Sequence, residues 1–229
     1  MTQKTIELLA PAKNYELGKL AINFGADAVY IGPKRFGARA RVGNDLADIE
    51  KLIDYANLYY TKVYATINTL LFDDELPTSI AQIHDLHKIG ISGIIIQDMG
   101  LLEYDLPLVP IIASTQCFVN TSVKARFYQD TGFQRIILPR ELSAEQIEKI
   151  RQAAPDIELE YFVHGALCVS YSGQCYMSYA LGGRSGNRGV CAQPCRKRYS
   201  VFDDTDNLIA RDKHLLSLKD LNQSKNLEE

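Results

Sequence analysis

The sequence has no apolar run approaching the roughly 18 to 20 residues that a membrane-spanning helix needs. Its opening residues, "MTQKTIELLAPAKN", lack the basic segment followed by an apolar one that marks an export signal. The expectation is a protein that acts in the cytoplasm, without membrane insertion. Several catalytic signatures are missing too. There is no G-x-S-x-G nucleophile elbow, no H-E-x-x-H helix, and no G-x-G-x-x-G turn after the first candidate strand. His84 and His87, in "IHDLHK", are three apart but have no glutamate between them, so they read as helix-surface residues. A net charge of −3 excludes a chain coated in positive charge for indiscriminate nucleic-acid binding. Acid is locally absent, however. From Leu181 to Ser200 the charged residues are Arg184, Arg188, Arg196, Lys197 and Arg198, giving a local charge of +5. Such a segment suits phosphates or an anionic substrate, or it is a basic loop paired with acids elsewhere.

What is present in the first two thirds is an alternation of short aliphatic runs and longer amphipathic stretches, the pattern of βα units around a parallel sheet. Candidate strands are "IELLAPA" from Ile6, "AVYIG" from Ala28, "KVYATIN" from Lys62, "GIIIQD" from Gly93, "PIIAS" from Pro110, "RIILP" from Arg135 and "IELEYFV" from Ile157. Candidate helices are "NYELGKLAINFG", "DLADIEKLIDYANLYY", "LPTSIAQIHDLHKIG", "SVKARFYQDTG" and "SAEQIEKIRQAA"; Gly25, Gly90 and Gly132 sit where helix-closing glycines belong. Seven strands at this spacing predict an α/β fold of the TIM-like (β/α) barrel type, incomplete by one strand. The barrel is expected over residues 1–166, and a cysteine-rich, basic segment with a truncated C-terminal part over 167–229. "HLLSLKDLNQSKNLEE" predicts a helix starting near Ser217 or Ser224, and the whole reads as the N-terminal part of a longer protein.

Barrel chemistry sits at the C-terminal ends of the strands. Those positions here carry Arg39 in "RFGARAR", Asn68, Gln97 and Asp98, Gln116, Arg140 and Glu141, and His164. Each one alone is an ordinary loop residue or cap. Together they predict a rim of amides, carboxylates and arginines suited to a polar, anionic ligand.

Four of the five cysteines lie in "HGALCVSYSGQCYMSYALGGRSGNRGVCAQPC". Cys168 and Cys175 are separated by six residues, Cys175 and Cys191 by fifteen, Cys191 and Cys195 by three. Tetrahedral zinc favours two tight C-x2-4-C knuckles, and only "CAQPC" has that reach. A loose first pair is easier to reconcile with an iron-sulfur cluster. Zinc, or a catalytic or buried set, remains open on spacing alone. Cys117, alone in "STQCFVN", reads as a small buried hydrophobe. His164 is a candidate base if "HGALC" brings its ring to Cys168.

"EYFVHGALCVSYSGQCYMS" resembles the signature of the collagenase-like peptidase U32 family: Glu160, Phe162, Gly165, Ala166, Leu167, Cys168, Gly173, Cys175, Met177 and Ser178 all match. "ELLAPA", "GADAVYIG", "FGARA", "LPREL" and "RGVCAQPCR" look like other stretches of the same family. The resemblance implies a barrel and a [4Fe-4S] cluster held by Cys168, Cys175 and Cys191. It also implies oxygen-independent hydroxylation of ribosomal RNA, transfer RNA or a ubiquinone precursor, with prephenate as oxygen donor. In the family the fourth ligand lies near a segment like "SLKDL", where this sequence has Asn222. Cys195 completes the set, or the ligand lies beyond Glu229, or one iron stays open to substrate. The predicted roles are Arg140, Glu141 and His164 in catalysis, Arg39, Asn68, Gln97, Asp98, Gln116, Arg184 and Arg188 in substrate binding, and Cys168, Cys175, Cys191 and Cys195 at the metal. Peptidase activity is the alternative from another class, and a scaffold that pairs with a homologous chain is a third.

Overall fold

The computed structural model describes residues 6–39 and 43–225. All seven predicted strands form: β1 (Leu9–Ala12), β2 (Ala28–Ile31), β3 (Lys62–Ile67), β4 (Gly93–Ile96), β5 (Ile111–Ala113), β6 (Arg135–Ile137) and β7 (Glu158–Glu160). They lie in one parallel sheet in sequence order, β1 through β7. The five predicted helices also form: α1 (Tyr15–Asn23), α2 (Leu46–Asn57), α3 (Leu76–Lys88), α4 (Ser122–Asp130) and α5 (Ala144–Ala153). Their starts are set by local chemistry. Asn14 accepts from the Leu17 amide, Thr121 from Lys124, and Ser143 forms a reciprocal capping box with Gln146. Gly25, Gly90 and Gly132 end three of them at φ of 95°, 85° and 95°, a conformation that favours residues without a Cβ.

The sheet has two cores. Its outer face packs Val29, Ile31, Ile94, Ile96 and Ile136 against Ile49, Leu52, Ile83, Leu86 and Ile150 of the helices. Its inner face gathers Ala28, Tyr64, Ile95, Ile112 and Ile137, with Leu9, Tyr30 and Phe162 against them. The sheet is curled: Arg135 Nη1 on β6 lies 2.7 Å from Glu7, two residues before β1. Among the described residues no eighth strand joins β7 to β1, and the barrel is open there. No helix among them is long and apolar enough to cross a membrane.

Arg135 centres an ionic floor at the N-terminal end of the strands. Its guanidinium reaches Glu7, Glu158 at 2.6 Å and Glu160 at 3.3 Å, and lies over the Tyr64 ring. Lys62 adds a 2.7 Å contact to Glu7. Burial alone would raise Glu7, but Arg135 and Lys62 outweigh it and hold its carboxyl below the ordinary value. For Glu160 burial wins, pushing it from 4.5 up to about 7 despite Arg135. A raised carboxyl favours the protonated folded state, so this group's contribution to stability falls as pH rises from about 4.5 to about 7. Glu160→Gln, which cannot ionise, is expected to flatten that part of the stability profile in urea titrations. An unchanged slope would refute this account of the floor.

Past β7 the chain leaves the sheet. β8 (His164–Gly165) and the short helix α6 (Met177–Gly182) are followed by a hairpin of β9 (Tyr199–Phe202) and β10 (Leu208–Lys213). The helix expected from Ser217 does not form. Arg196 donates to Ser217 Oγ and to the Leu218 carbonyl, holding that stretch extended. It continues into β11 (Leu221–Asn222), which pairs antiparallel with β8 and sets Asn222 opposite His164. Ser224 and Lys225 form a turn. The remainder of that predicted helix, with its two closing glutamates, and Ala40 and Arg41 of "RFGARAR" lie outside the described residues.

Candidate functional site at the barrel mouth

Strand alternation carries the inner face upward from Tyr64 to Thr66, from Ile95 to Gln97 and from Ile112 to Ser114. Gln97 is only 8% exposed, and its Oε1 has no partner among the described residues. Asn68 donates to Ser114 Oγ (3.2 Å) and accepts from the Ala38 amide (2.9 Å), while Gln116 donates to the Asn68 carbonyl (3.1 Å). These amides tie the loop after β2 to the mouth, next to exposed Arg39. Asp98 accepts from the amides of Leu71 and Gly100 and so braces two neighbouring loops.

Arg140 follows β6. Its guanidinium carbon lies 3.8 Å from the Phe162 ring centroid, over the inner core, and its buried Nε has no partner among the described residues. Burial lowers its pKa, an effect that the Cys168 thiol, Tyr30 and Glu141 oppose. A buried donor without an acceptor costs about 1–3 kcal/mol, so an acceptor brought to this nitrogen would recover that cost. The adjacent Glu141 points elsewhere, accepting from the Ser172 amide and hydroxyl.

The cysteine-rich segment is fastened across this mouth. Besides the Glu141 clamp, Tyr171 stacks on Phe118 at 5.1 Å and Leu70 donates to the Asn187 carbonyl. Arg188 forms a two-pronged bridge to Glu75 (2.6 and 2.8 Å) and donates to the Leu70 carbonyl. Gly173 abuts Gln116 so closely that an added Cβ would sit 2.0 Å from its carbonyl oxygen, at a φ of +71°. Gly173→Ala is therefore expected to loosen the whole segment, seen as faster proteolysis between residues 167 and 200; wild-type resistance would contradict this docking.

Within the segment Cys168, Cys175, Cys191 and Cys195 are all free thiols. They lie close enough to act on one another: burial raises the Cys168 pKa first, Arg140 lowers it, and Cys195, Cys175 and Cys191 each raise it further. Among the described residues no three His, Cys, Asp or Glu side chains are arranged as a metal-binding group. The four sulfurs are neighbours, not a closed ligand shell. Their chemistry fits a thiolate-held cluster. None is paired in a disulfide, the Gln193 amide donates to the Cys191 sulfur at 3.3 Å, and Gly186 leaves a Cβ-sized approach 3.9 Å from that sulfur. Arg184 donates to the Val190 and Cys191 carbonyls, and Arg196 to the Leu167 carbonyl, so both fix the loops that carry cysteines. The ring of His164 is exposed on β8.

Residues the sequence reading passed over complete the site. Ser172 and Gly173 dock the segment, Phe162 carries Arg140, and Lys34 and Arg35 line a cleft of about 400 Å³ together with Thr69, Asp74, Glu75 and Arg188. Phe162 and Gly173 are signalled in the sequence only as positions of the matched signature, and Lys34 and Arg35 only by the run of basic residues and glycines in "GPKRFGARAR".

An open parallel barrel with a thiol-rich segment fastened over its mouth is the class that fold and site define. The chain belongs to peptidase family U32, whose model matches residues 13–229. It is 50% identical over 222 residues to the 23S rRNA 5-hydroxycytidine C2501 synthase of Escherichia coli, covering 97% of this chain and 34% of that protein. It is 37% identical over 238 residues to the tRNA hydroxylation protein P of Helicobacter pylori strain J99, covering 98% of this chain and 56% of the relative. The chain thus spans between about a third and a little over half of these relatives' length. A solved structure of the U32 peptidase Mk0906 shares the fold, with a TM-score of 0.63 at 15% identity over 95% of this chain and 92% of that one.

Proposed function

We propose that this chain is the barrel and cofactor-bearing part of an RNA-base hydroxylase. It works in the cytoplasm on ribosomal or transfer RNA and takes the oxygen atom from prephenate. The observation that carries the reading is the placement of four free thiols beside a half-buried arginine at the barrel mouth whose Nε has no acceptor among the described residues. The relatives' activity on RNA supports the substrate class. Cys168, Cys175, Cys191 and Cys195 would hold a [4Fe-4S] cluster, which when bound supplies one-electron chemistry. Arg140 binds the carboxylate of the oxygen donor, with its plane fixed by Phe162. The cysteine segment covers the mouth and excludes water from the ligand below it. Glu141, through Ser172, keeps Cys168 and Cys175 in register with that ligand.

A cysteine peptidase would need a thiol activated as thiolate. Burial pushes Cys117 the other way, up to about 11, and its sulfur contacts the Ile96 carbonyl. The hydroxylase reading is tested by nucleoside mass spectrometry of ribosomal and transfer RNA from a deletion strain. The expected result is the loss of one hydroxylated nucleoside, restored by the wild-type gene. An unchanged nucleoside profile would overturn the reading.

A further inference from the structure

Tyr176 and Tyr179 stand on the outer surface of the cysteine-rich segment, 67% and 47% exposed. Tyr176 immediately precedes α6 and Tyr179 lies one turn on, so helical spacing brings the rings side by side, with centroids 5.1 Å apart and planes at 47°. Neither ring buries its face in the core. Nearly exposed paired tyrosines lose apolar contact area to water, and a soluble chain keeps such rings free where they meet a partner.

The charge around them identifies that partner. Of the five basic residues between Leu181 and Ser200, Arg188 is neutralised by Glu75 and Arg198 by Asp212. Among the described residues Arg184 and Arg196 bond only to carbonyls and a hydroxyl, so no carboxylate there compensates their positive charges, and exposed Lys197 adds a third. Arg184 follows α6 directly. The Pro194–Arg196 turn packs on that helix, where the Ser178 hydroxyl accepts from the Ala192 amide at 2.8 Å. Rings and cations therefore lie on one short helix, the residues that follow it and the turn packed against it. We infer that this patch is a stacking platform for single-stranded RNA: the two tyrosines take unpaired bases, and Arg184, Arg196 and Lys197 face the phosphates. Tyr176 directly follows Cys175, so the strand is held beside the thiols. This inference rests on the RNA reading above and specifies how the strand is recognised.

The test measures binding without turnover. Anaerobically purified intact protein is titrated, by fluorescence anisotropy, into a labelled mixed-sequence single-stranded RNA and a blunt duplex of equal length. The single strand is expected to bind more tightly. The double variant Tyr176→Ala, Tyr179→Ala is expected to lose roughly tenfold or more in affinity, and Tyr176→Phe, Tyr179→Phe to keep it. If the alanine variant melts early, Tyr176→Leu, Tyr179→Leu keeps the bulk without the π-face and should show the same loss. Affinity that ignores both ring deletions overturns the platform. So does a deletion that abolishes self-association in sedimentation while RNA affinity is unchanged, which would assign the rings to a second copy of the chain. Ring-dependent binding in a protein whose deletion leaves every nucleoside intact would keep the platform and remove the hydroxylase reading. Intact hydroxylation with ring-independent binding would do the reverse.

Discussion

Cys168→Ser is expected to abolish nucleoside hydroxylation and to strip iron from the protein, while the barrel keeps its thermal stability. Serine preserves the shape of the side chain but offers a weakly acidic hydroxyl where a soft thiolate is needed. Position matters as much as chemistry. Cys168 lies within electrostatic reach of Arg140 and of the other three thiols, so its loss is expected to affect both cofactor and anion. Cys117→Ser provides the contrast. That thiol packs against the core, its sulfur near the carbonyls of Ile96 and Gln97, and its replacement should leave iron content unchanged. Cys195→Ser distinguishes the possible fourth ligands: iron loss equal to that of Cys168→Ser assigns Cys195 to the set. A Cys168→Ser protein that hydroxylates normally would contradict the assignment.

The largest effect on stability is expected at Arg135, far from the thiols. Its side chain is 9% exposed and faces three carboxylates, Glu7, Glu158 and Glu160. Arg135→Ala leaves them in the barrel floor with Lys62, on Glu7, as the remaining nearby cation, and breaking a largely buried ionic cluster in this way costs up to about 3–5 kcal/mol. Arg135→Lys keeps one charge but cannot reach three partners in a plane, so an intermediate loss is expected. Urea unfolding measures both. Acid should partly rescue the alanine variant: Glu160, which burial raises to about 7 even beside Arg135, sheds its charge first, and protonating Glu7 then removes a further opposed charge. A loss below about 1 kcal/mol for alanine would place the cluster outside the energetics of the fold.

The strands and helices were legible in the sequence because each is specified locally. "GIIIQD" and "KVYATIN" are aliphatic runs of strand length, and Asn14, Ser143, Gly25, Gly90 and Gly132 mark helix ends through their own backbone chemistry. Contacts between distant residues were not legible. Arg135 and Glu7 are 128 residues apart, Arg188 and Glu75 are 113, and nothing in either neighbourhood announces the partner. The same limit explains the basic segment, whose +5 charge is reduced by Glu75 and Asp212 from outside it. It also explains the missing helix at Ser217, where local propensity yields to hydrogen bonds from Arg196. The cysteine spacing left zinc and iron-sulfur both open, and the fold adds that the four thiols stand over a barrel mouth, beside an arginine whose Nε has no acceptor among the described residues.

The proposed iron-sulfur cluster on these four cysteines is tested by quantitation of iron, acid-labile sulfide and zinc in protein purified without oxygen. Iron and sulfide are expected in equal amounts, about four of each per chain. One zinc per chain, with neither iron nor sulfide, would contradict it.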